Sequence, residues 1–171
     1  MSHRTTTGNQ DHFFDALVIG SGSAGLIYAL KVAEYGTVAV VTKRAQDDSN
    51  TRWAQGGIAA VMGEHDSFES HIADTIKAGD VLNNPEIVRI CVEEGPERLE
   101  ELLDLGVQFT LRDRKGELDL TREGGHSERR IVHAKDMTGR AVIEALIKSV
   151  EGHPNIEVFE DHHAVDLITR E

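Results

Sequence analysis

The sequence predicts an α/β fold: a doubly wound, mostly parallel sheet with an antiparallel addition. Three observations predict it. A short apolar run (Ala16, Leu17, Val18, Ile19) leads straight into Gly20, Gly22 and Gly25, and an apolar helical pattern follows at Leu26, Ala29, Leu30 and Ala33. A second apolar run, Val38 to Val41, lacks polar alternation, as a parallel strand covered on both faces should. The order of patterns, β-α-β, then helices, then two further strands, puts a crossover helix between parallel neighbours.

The elements follow in order. Residues 1–12 are polar and read as a disordered lead-in, with the domain starting at residue 13. Gly36 is expected to cap the first helix. After the second strand, 47–52 form a polar loop. Phe68, Ile72, Thr75 and Ile76 share one side of a helix over 68–78. A second helix starts at Pro85, a good first-turn residue. It carries Ile87, Val88, Ile90, Cys91 and Val92, and a break or kink is expected at Gly95-Pro96. Leu99, Leu102 and Leu103 resume the helical spacing up to Gly106. Residues 109–121 read as a hairpin around 114–116, and 122–133 as a polar, arginine-rich segment. Thr138 is expected to cap a helix bearing Ala141, Val142, Ala145, Leu146 and Val150. Strands are expected over 156–160 and 164–169. Neither an internal repeat nor a low-complexity linker is present.

Composition bounds the function. The 171 residues suffice for one domain with a core. Lys and Arg total 18 against 30 Asp and Glu, a net charge of −12, which disfavours nucleic-acid and anionic-membrane partners. No apolar run is long enough to span a membrane, and the first 11 residues lack the apolar core of a signal peptide. Cys91 is the only cysteine, so no intrachain disulfide can form, and a reducing, cytoplasmic setting is expected. Its apolar neighbours predict a small buried hydrophobe rather than a nucleophile. His153, Asp161, His162 and His163 match no familiar metal spacing and read as solvent-facing polar groups, so no metal site is expected.

Strand, glycine turn and helix N-terminus form a pyrophosphate cradle. Gly20 permits the turn, Gly22 lets backbone approach phosphate, and Gly25 lets helix and strand pack closely. An acid that would hold ribose hydroxyls is expected about 20 residues past the glycines, yet Thr42-Lys43 stands there. An ammonium only donates, so Lys43 suits an adenosine or phosphate oxygen, or else it is a solvated surface lysine. Downstream, Trp53 offers a flat apolar surface, Gln55 a donor and an acceptor, and Gly56-Gly57 close backbone approach to a flat ligand. A plain glycine-rich turn would look similar.

Taken together, Gly20-Ser-Gly-Ser-Ala-Gly25, Thr42-Lys43 and Asn50-Thr-Arg-Trp-Ala-Gln-Gly-Gly57 resemble the flavoprotein family that contains succinate dehydrogenase, fumarate reductase and L-aspartate oxidase. The resemblance extends through 66–71, 138–140 and 153–155 to 164–168. It implies a Rossmann-like FAD-binding sheet. The cofactor contacts would come from Gly20, Ser21, Gly22, Ser23, Ala24, Gly25, Lys43, Asn50, Thr51, Arg52, Trp53, Ala54, Gln55, Gly56 and Gly57. Respiratory members carry a flavin-linked histidine where Asn50 stands, so non-covalent FAD is implied.

Thr121-Arg-Glu-Gly-Gly-His-Ser127 discriminates within the family, being similar to the matching segment of its L-aspartate oxidases. Members acting on plain dicarboxylates usually have an aromatic residue at the position of Glu123. Aspartate bears an ammonium on the carbon that loses hydride. A carboxylate there could accept its hydrogen bonds, a charge-assisted contact of about 1.5–3 kcal/mol. The other reading of Glu123 is a surface acid paired with Arg122 or Arg129. His126 and His133 are candidate polar site groups or hydrogen-bonded structural histidines. Arg129-Arg130 would either attract a dicarboxylate or form a solvated basic turn.

The resemblance implies L-aspartate as substrate, oxygen or fumarate as oxidant, and a product feeding quinolinate and NAD synthesis, with a possible functional link to quinolinate synthase. It also implies that 13–171 is the N-terminal part of an FAD-binding domain incomplete at its C-terminus, lacking the capping and C-terminal helical domains and binding FAD weakly at best by itself. The alternatives are a fumarate reductase- or succinate dehydrogenase-like flavoprotein, or a catalytically inactive nucleotide-binding fragment.

Overall fold

The computed structural model describes residues 11–169 except 115 and 136. The expected lead-in lies outside the described residues up to residue 10. His12 packs its ring edge-on against Phe159, 5.0 Å between centroids.

The first βαβ unit forms as its glycine-separated apolar runs dictate: β1 (Ala16–Ile19), α1 (Ser23–Val32) and β2 (Val38–Val41). β1 and β2 pair in parallel, Ala16 opposite Val38 through Ile19 opposite Val41. β6 (Ile156–Phe159) joins the far side of β2, also parallel, so the order is β1-β2-β6. Strand alternation sorts the side chains by face. Ala16, Val18, Val38, Val40, Ile156 and Val158 enter one core with Leu26, Ala29 and Ala33 of α1 and Val142, Ile143, Leu146 and Val150 of α4 (Thr138–Glu151). On the opposite face Leu17 and Ile19 are 53% and 57% exposed, so among the described residues this face of β1 stays open.

A second, antiparallel sheet has the order β3-β5-β4, from β3 (Ile58–Ala59), β5 (Ile131–Val132) and β4 (Leu120–Thr121). Beside it run α2 (Phe68–Gly79), a 3-10 turn (Asp80–Leu82) and α3 (Pro85–Asp104). Ser67 Oγ caps α2 by accepting from the Ser70 amide, and Asn84 caps α3 by accepting from Glu86 and Ile87. Leu99 of α3, together with Ala60, Val107, Phe109 and Val132, continues the same core.

Several expectations are corrected. The expected antiparallel addition is a separate sheet, β3-β5-β4, and β6 is a parallel strand of the first sheet. Residues 164–169 form no strand: Val165, Leu167 and Ile168 are exposed, and no described strand pairs with them. α3 runs through Pro96 unbroken, held by buried Val92 and Leu99 on either side. Gly36 is no helix cap, since α1 ends at Val32 and Ala33 caps it. Instead, a Cβ at Gly36 would crowd the Asp15 carboxylate, which accepts from the Thr37 amide and hydroxyl at 2.8 Å each. Thr138 is the first residue of α4, not its cap, and its hydroxyl accepts from the Ala134 amide at 3.1 Å. Cys91 is exposed, on a side of α3 where Ile87 and Ile90 are also exposed. The hairpin at 109–121 forms, with Leu111 opposite Leu118 and Asp119 N donating to Thr110 O.

Candidate functional site

The turn from β1 to α1 is built by its glycines. Gly20 has φ +108°, a left-handed value that disfavours any side chain. Gly25 packs so closely that a Cβ there would overlap the Gly20 carbonyl. Gly22 precedes α1 and offers no side-chain cap, so apart from the Ser23 amide, which Thr51 takes, the first-turn amides are suited to an anion. The space where a Cβ of Gly20 or Gly56 would stand is open.

Two hydroxyl contacts bind this turn to its surroundings. Ser21 Oγ donates to Thr42 Oγ1 at 3.1 Å in the interior, joining the turn to the end of β2. Thr51 Oγ1 accepts from the Ser23 amide at 3.1 Å and donates to Ser23 Oγ at 3.3 Å, bringing the 50–57 loop to the N-terminus of α1. Lys43 follows Thr42 and is exposed.

The 50–57 loop coils through successive turns: Arg52 N to Ser49 O, Trp53 N to Asn50 O and Ala54 N to Thr51 O. It is seated from below by α4. The Gly139 amide donates to Ala54 O at 3.0 Å, and a Cβ at Gly139 would overlap Thr51 O. A Cβ at Gly57 would likewise strike Ile131 and Val132 of β5. Arg52 pairs with Asp47, its guanidinium 6.0 Å from the centre of the exposed Trp53 ring. Trp53, Ala54, Gln55 and Gly56 present an open, mostly uncharged strip. A helix N-terminus for phosphate, an exposed lysine at the end of β2 and a flat strip suit the parts of a flavin dinucleotide.

Glu123 sits across the second sheet. β3 begins at Ile58, directly after Gly57, whereas Glu123 follows the end of β4. Since β3 and β4 both run antiparallel to β5, the two loops enter from opposite ends, with Gly57 and Glu123 about 13 Å apart along the strands and about 10 Å across them. Among the described residues no hydrogen bond joins Glu123 to 50–57. Glu123 opens a turn closed by the His126 amide on Glu123 O at 3.3 Å, with Gly125 at φ +87° in the third place, as a type II turn requires. Its carboxylate is exposed and makes no ion pair among the described residues. Arg122 donates instead to Ser127 O at 3.4 Å and Arg129 to Leu120 O at 3.2 Å.

Arg130 contradicts both sequence readings of the arginine pair. It is completely buried, gripping Asp66 with two bonds (Nε to Oδ2, 2.8 Å; Nη2 to Oδ1, 2.7 Å) and Asp74 with a third at 2.7 Å. Burial opposes its charge, but the bonds it donates to Asp66 and Asp74 outweigh that, and its pKa is raised. Hydrogen bonding from the Ser127 amide, against some desolvation and with help from the Ser127 hydroxyl and Arg130, holds Asp74 at about 2. His126 Nδ1 lies 3.4 Å from Arg130 Nη1; arginine only donates, so this nitrogen accepts. His71, its ring 5.6 Å from that of His126, is buried with Nδ1 unbonded among the described residues. Burial, then the nearby Arg130 charge, lowers its pKa. His133 lies 3.4 Å from Asp119. Sequence reasoning missed Asp66, Ser70 and Asp74 as partners of Arg130; only their i, i+4, i+8 spacing on one helical side could have hinted at it.

Among the described residues no His, Cys, Asp and Glu cluster could hold a metal, and no helix is long and apolar enough to cross a membrane. Residues 15–171 match the FAD binding domain family. The chain is 54% identical over 162 residues to the chloroplastic L-aspartate oxidase 2-b of Nicotiana tabacum, covering 95% of this chain and 25% of that protein. It is 47% identical over 170 residues to an L-aspartate oxidase of Vibrio cholerae, covering 95% and 31%. A solved quinol fumarate reductase of E. coli superposes with a TM-score of 0.80 at 32% identity, covering 86% of this chain and 26% of that one. The chain thus spans about a quarter to a third of the length of these relatives. With its glycine turn, hydroxyl-tied loop and near-complete match, this chain belongs to the FAD binding domain family.

Proposed function

We propose that this chain is the N-terminal, cofactor-binding part of an L-aspartate oxidase. The observation that carries the reading is Glu123: an exposed carboxylate whose two neighbouring arginines are both engaged elsewhere. Such a carboxylate is available to the ammonium of an amino dicarboxylate, and an apolar residue there would leave that ammonium desolvated and unpaired. The high identity to L-aspartate oxidases of a plant and a bacterium supports it.

The cradle formed by Gly20, Ser21, Gly22, Ser23, Ala24 and Gly25 would receive the pyrophosphate on the α1 amides. Lys43 would donate to an adenosine or phosphate oxygen. Residues 50–57 would line the flavin, non-covalently, because Asn50 is no nucleophile. FAD, when bound, supplies the acceptor for the hydride leaving aspartate Cα, and oxygen or fumarate serves as final oxidant. Glu123 orients Cα by accepting hydrogen bonds from the ammonium. The product, iminoaspartate, would feed quinolinate and NAD synthesis, with quinolinate synthase as a candidate functional partner. A cytoplasmic setting goes with the single free thiol, although the tobacco relative is named chloroplastic.

The test is Glu123→Gln in the full-length protein. Turnover with L-aspartate is expected to fall at least tenfold more than fumarate reduction by an artificial donor, a factor of ten being about 1.4 kcal/mol. The second reading, a fumarate reductase-like flavoprotein, is favoured by the superposition and predicts equal losses on both substrates.

A further inference from the structure

The hydroxyls around Arg130 form a closed ring whose proton directions follow from chemistry. Ionised Asp74 can only accept, so the Ser127 hydroxyl donates to Asp74 Oδ2 at 2.7 Å. That uses its one proton. Ser127 Oγ, 3.1 Å from Ser70 Oγ, therefore accepts from Ser70. Ser70 Oγ in turn accepts from Arg130 Nη2 at 3.1 Å, and Arg130 Nη1 closes the ring on Asp74 Oδ2 at 2.7 Å. The Ser127 amide adds a second bond to the same Asp74 oxygen at 2.7 Å. Asp66 fixes the other side of the guanidinium.

The ring has one exposed member, Ser127, which directly follows the turn opened by Glu123. Arg122 Nη1 on Ser127 O joins the segment's two ends. Among the described residues the loop backbone at Glu123 has its own turn bond, from the His126 amide. From this geometry we infer that Asp74 and Arg130 are positioning residues, acting through Ser127 to hold the 122–128 segment so that Glu123 can meet the substrate ammonium. Neither touches substrate. The inference rests on the assignment of Glu123 above.

The experiment uses the full-length protein loaded with FAD and compares Ser127→Ala, Ser127→Thr and Glu123→Gln with the pair of Glu123→Gln and Ser127→Ala. Ser127→Ala removes one hydroxyl at the surface and leaves the buried Arg130–Asp66 pair intact. Its KM for L-aspartate is expected to rise about five- to tenfold, with kcat and the KM for fumarate nearly unchanged. Ser127→Thr restores the wild-type value. In the Glu123→Gln background Ser127→Ala adds nothing further. Amide hydrogen exchange across 122–128 rises in Ser127→Ala and in Asp74→Asn, while α1 and β2 exchange as in the wild type. Should Glu123→Gln show its aspartate-specific loss while Ser127→Ala has no effect, or one that adds in full, the positioning role is overturned and the Glu123 assignment stands. Should Glu123→Gln itself show no aspartate-specific loss, both fall together.

Discussion

Arg130 shows how a single charge organises its neighbourhood. Taking a guanidinium out of water is costly unless every bond is replaced. Here Asp66, Asp74 and Ser70 supply the acceptors. Arg130→Ala strands the Asp66 carboxylate and is expected to cost about 3–5 kcal/mol, read as a shift in the urea midpoint at constant slope. Two neighbours make stability depend on acidity. The Asp74 carboxyl, lowered from 3.8 to about 2, contributes stability that is complete above pH 3.8 and lost as pH falls through about 2. His71 acts earlier. Its folded pKa lies below the ordinary 6.5, so below pH 6.5 the unfolded chain binds a proton that the folded one refuses, and stability drops. His71→Phe should flatten denaturation midpoints between pH 6.5 and 5; an unchanged slope would show that His71 is protonated without cost. Nothing in the sequence marks Arg130 as buried beside exposed Arg129. That difference arises from partners distant in sequence: Asp66, Ser70 and Asp74 converge on Arg130, whereas Arg129 donates to Leu120 O and stays exposed.

At the scale of elements, close approaches set the geometry of the cofactor loop. Gly139 lies in the first turn of α4 at the point where the helix meets Thr51 and Ala54, and backbone cannot swing aside as a flexible side chain can. Gly139→Ala in the full-length protein is expected to displace the 50–57 loop. Flavin absorbance per protein at 450 nm should fall severalfold, while far-ultraviolet circular dichroism is kept. The βαβ unit, α2 and the start of α3 were legible because glycine spacing, caps and helical periodicity are local signals. Two-residue strands such as β3 and β5 carry too few residues for any period to show. The 164–169 segment misled for the opposite reason: it has a strand-like apolar pattern, but pairing depends on a neighbour that composition cannot reveal.

For the whole molecule, the open face of β1 matters most. Leu17 and Ile19 stand exposed beside a core that α1 and α4 cover from one side only, and apolar exposure of this kind weakens a domain or invites association. The 171-residue chain alone is therefore expected to hold FAD weakly and to aggregate above micromolar concentration. Stoichiometric flavin surviving gel filtration would contradict this. Family and cofactor were legible from three motifs because phosphate binding demands particular glycines at particular spacings. The link from Ser127 back to α2 was not, since it joins residues 53 positions apart.

Thr51 has one more consequence. Its hydroxyl stitches the loop bearing Trp53, the molecule's sole tryptophan, to the Ser23 amide at the α1 N-terminus, beside the proposed phosphate cradle. The molecule therefore carries its own optical reporter: indole emission should change when ADP alone, with no flavin present, settles on the helix. In Thr51→Val the same nucleotide would bind in the dark.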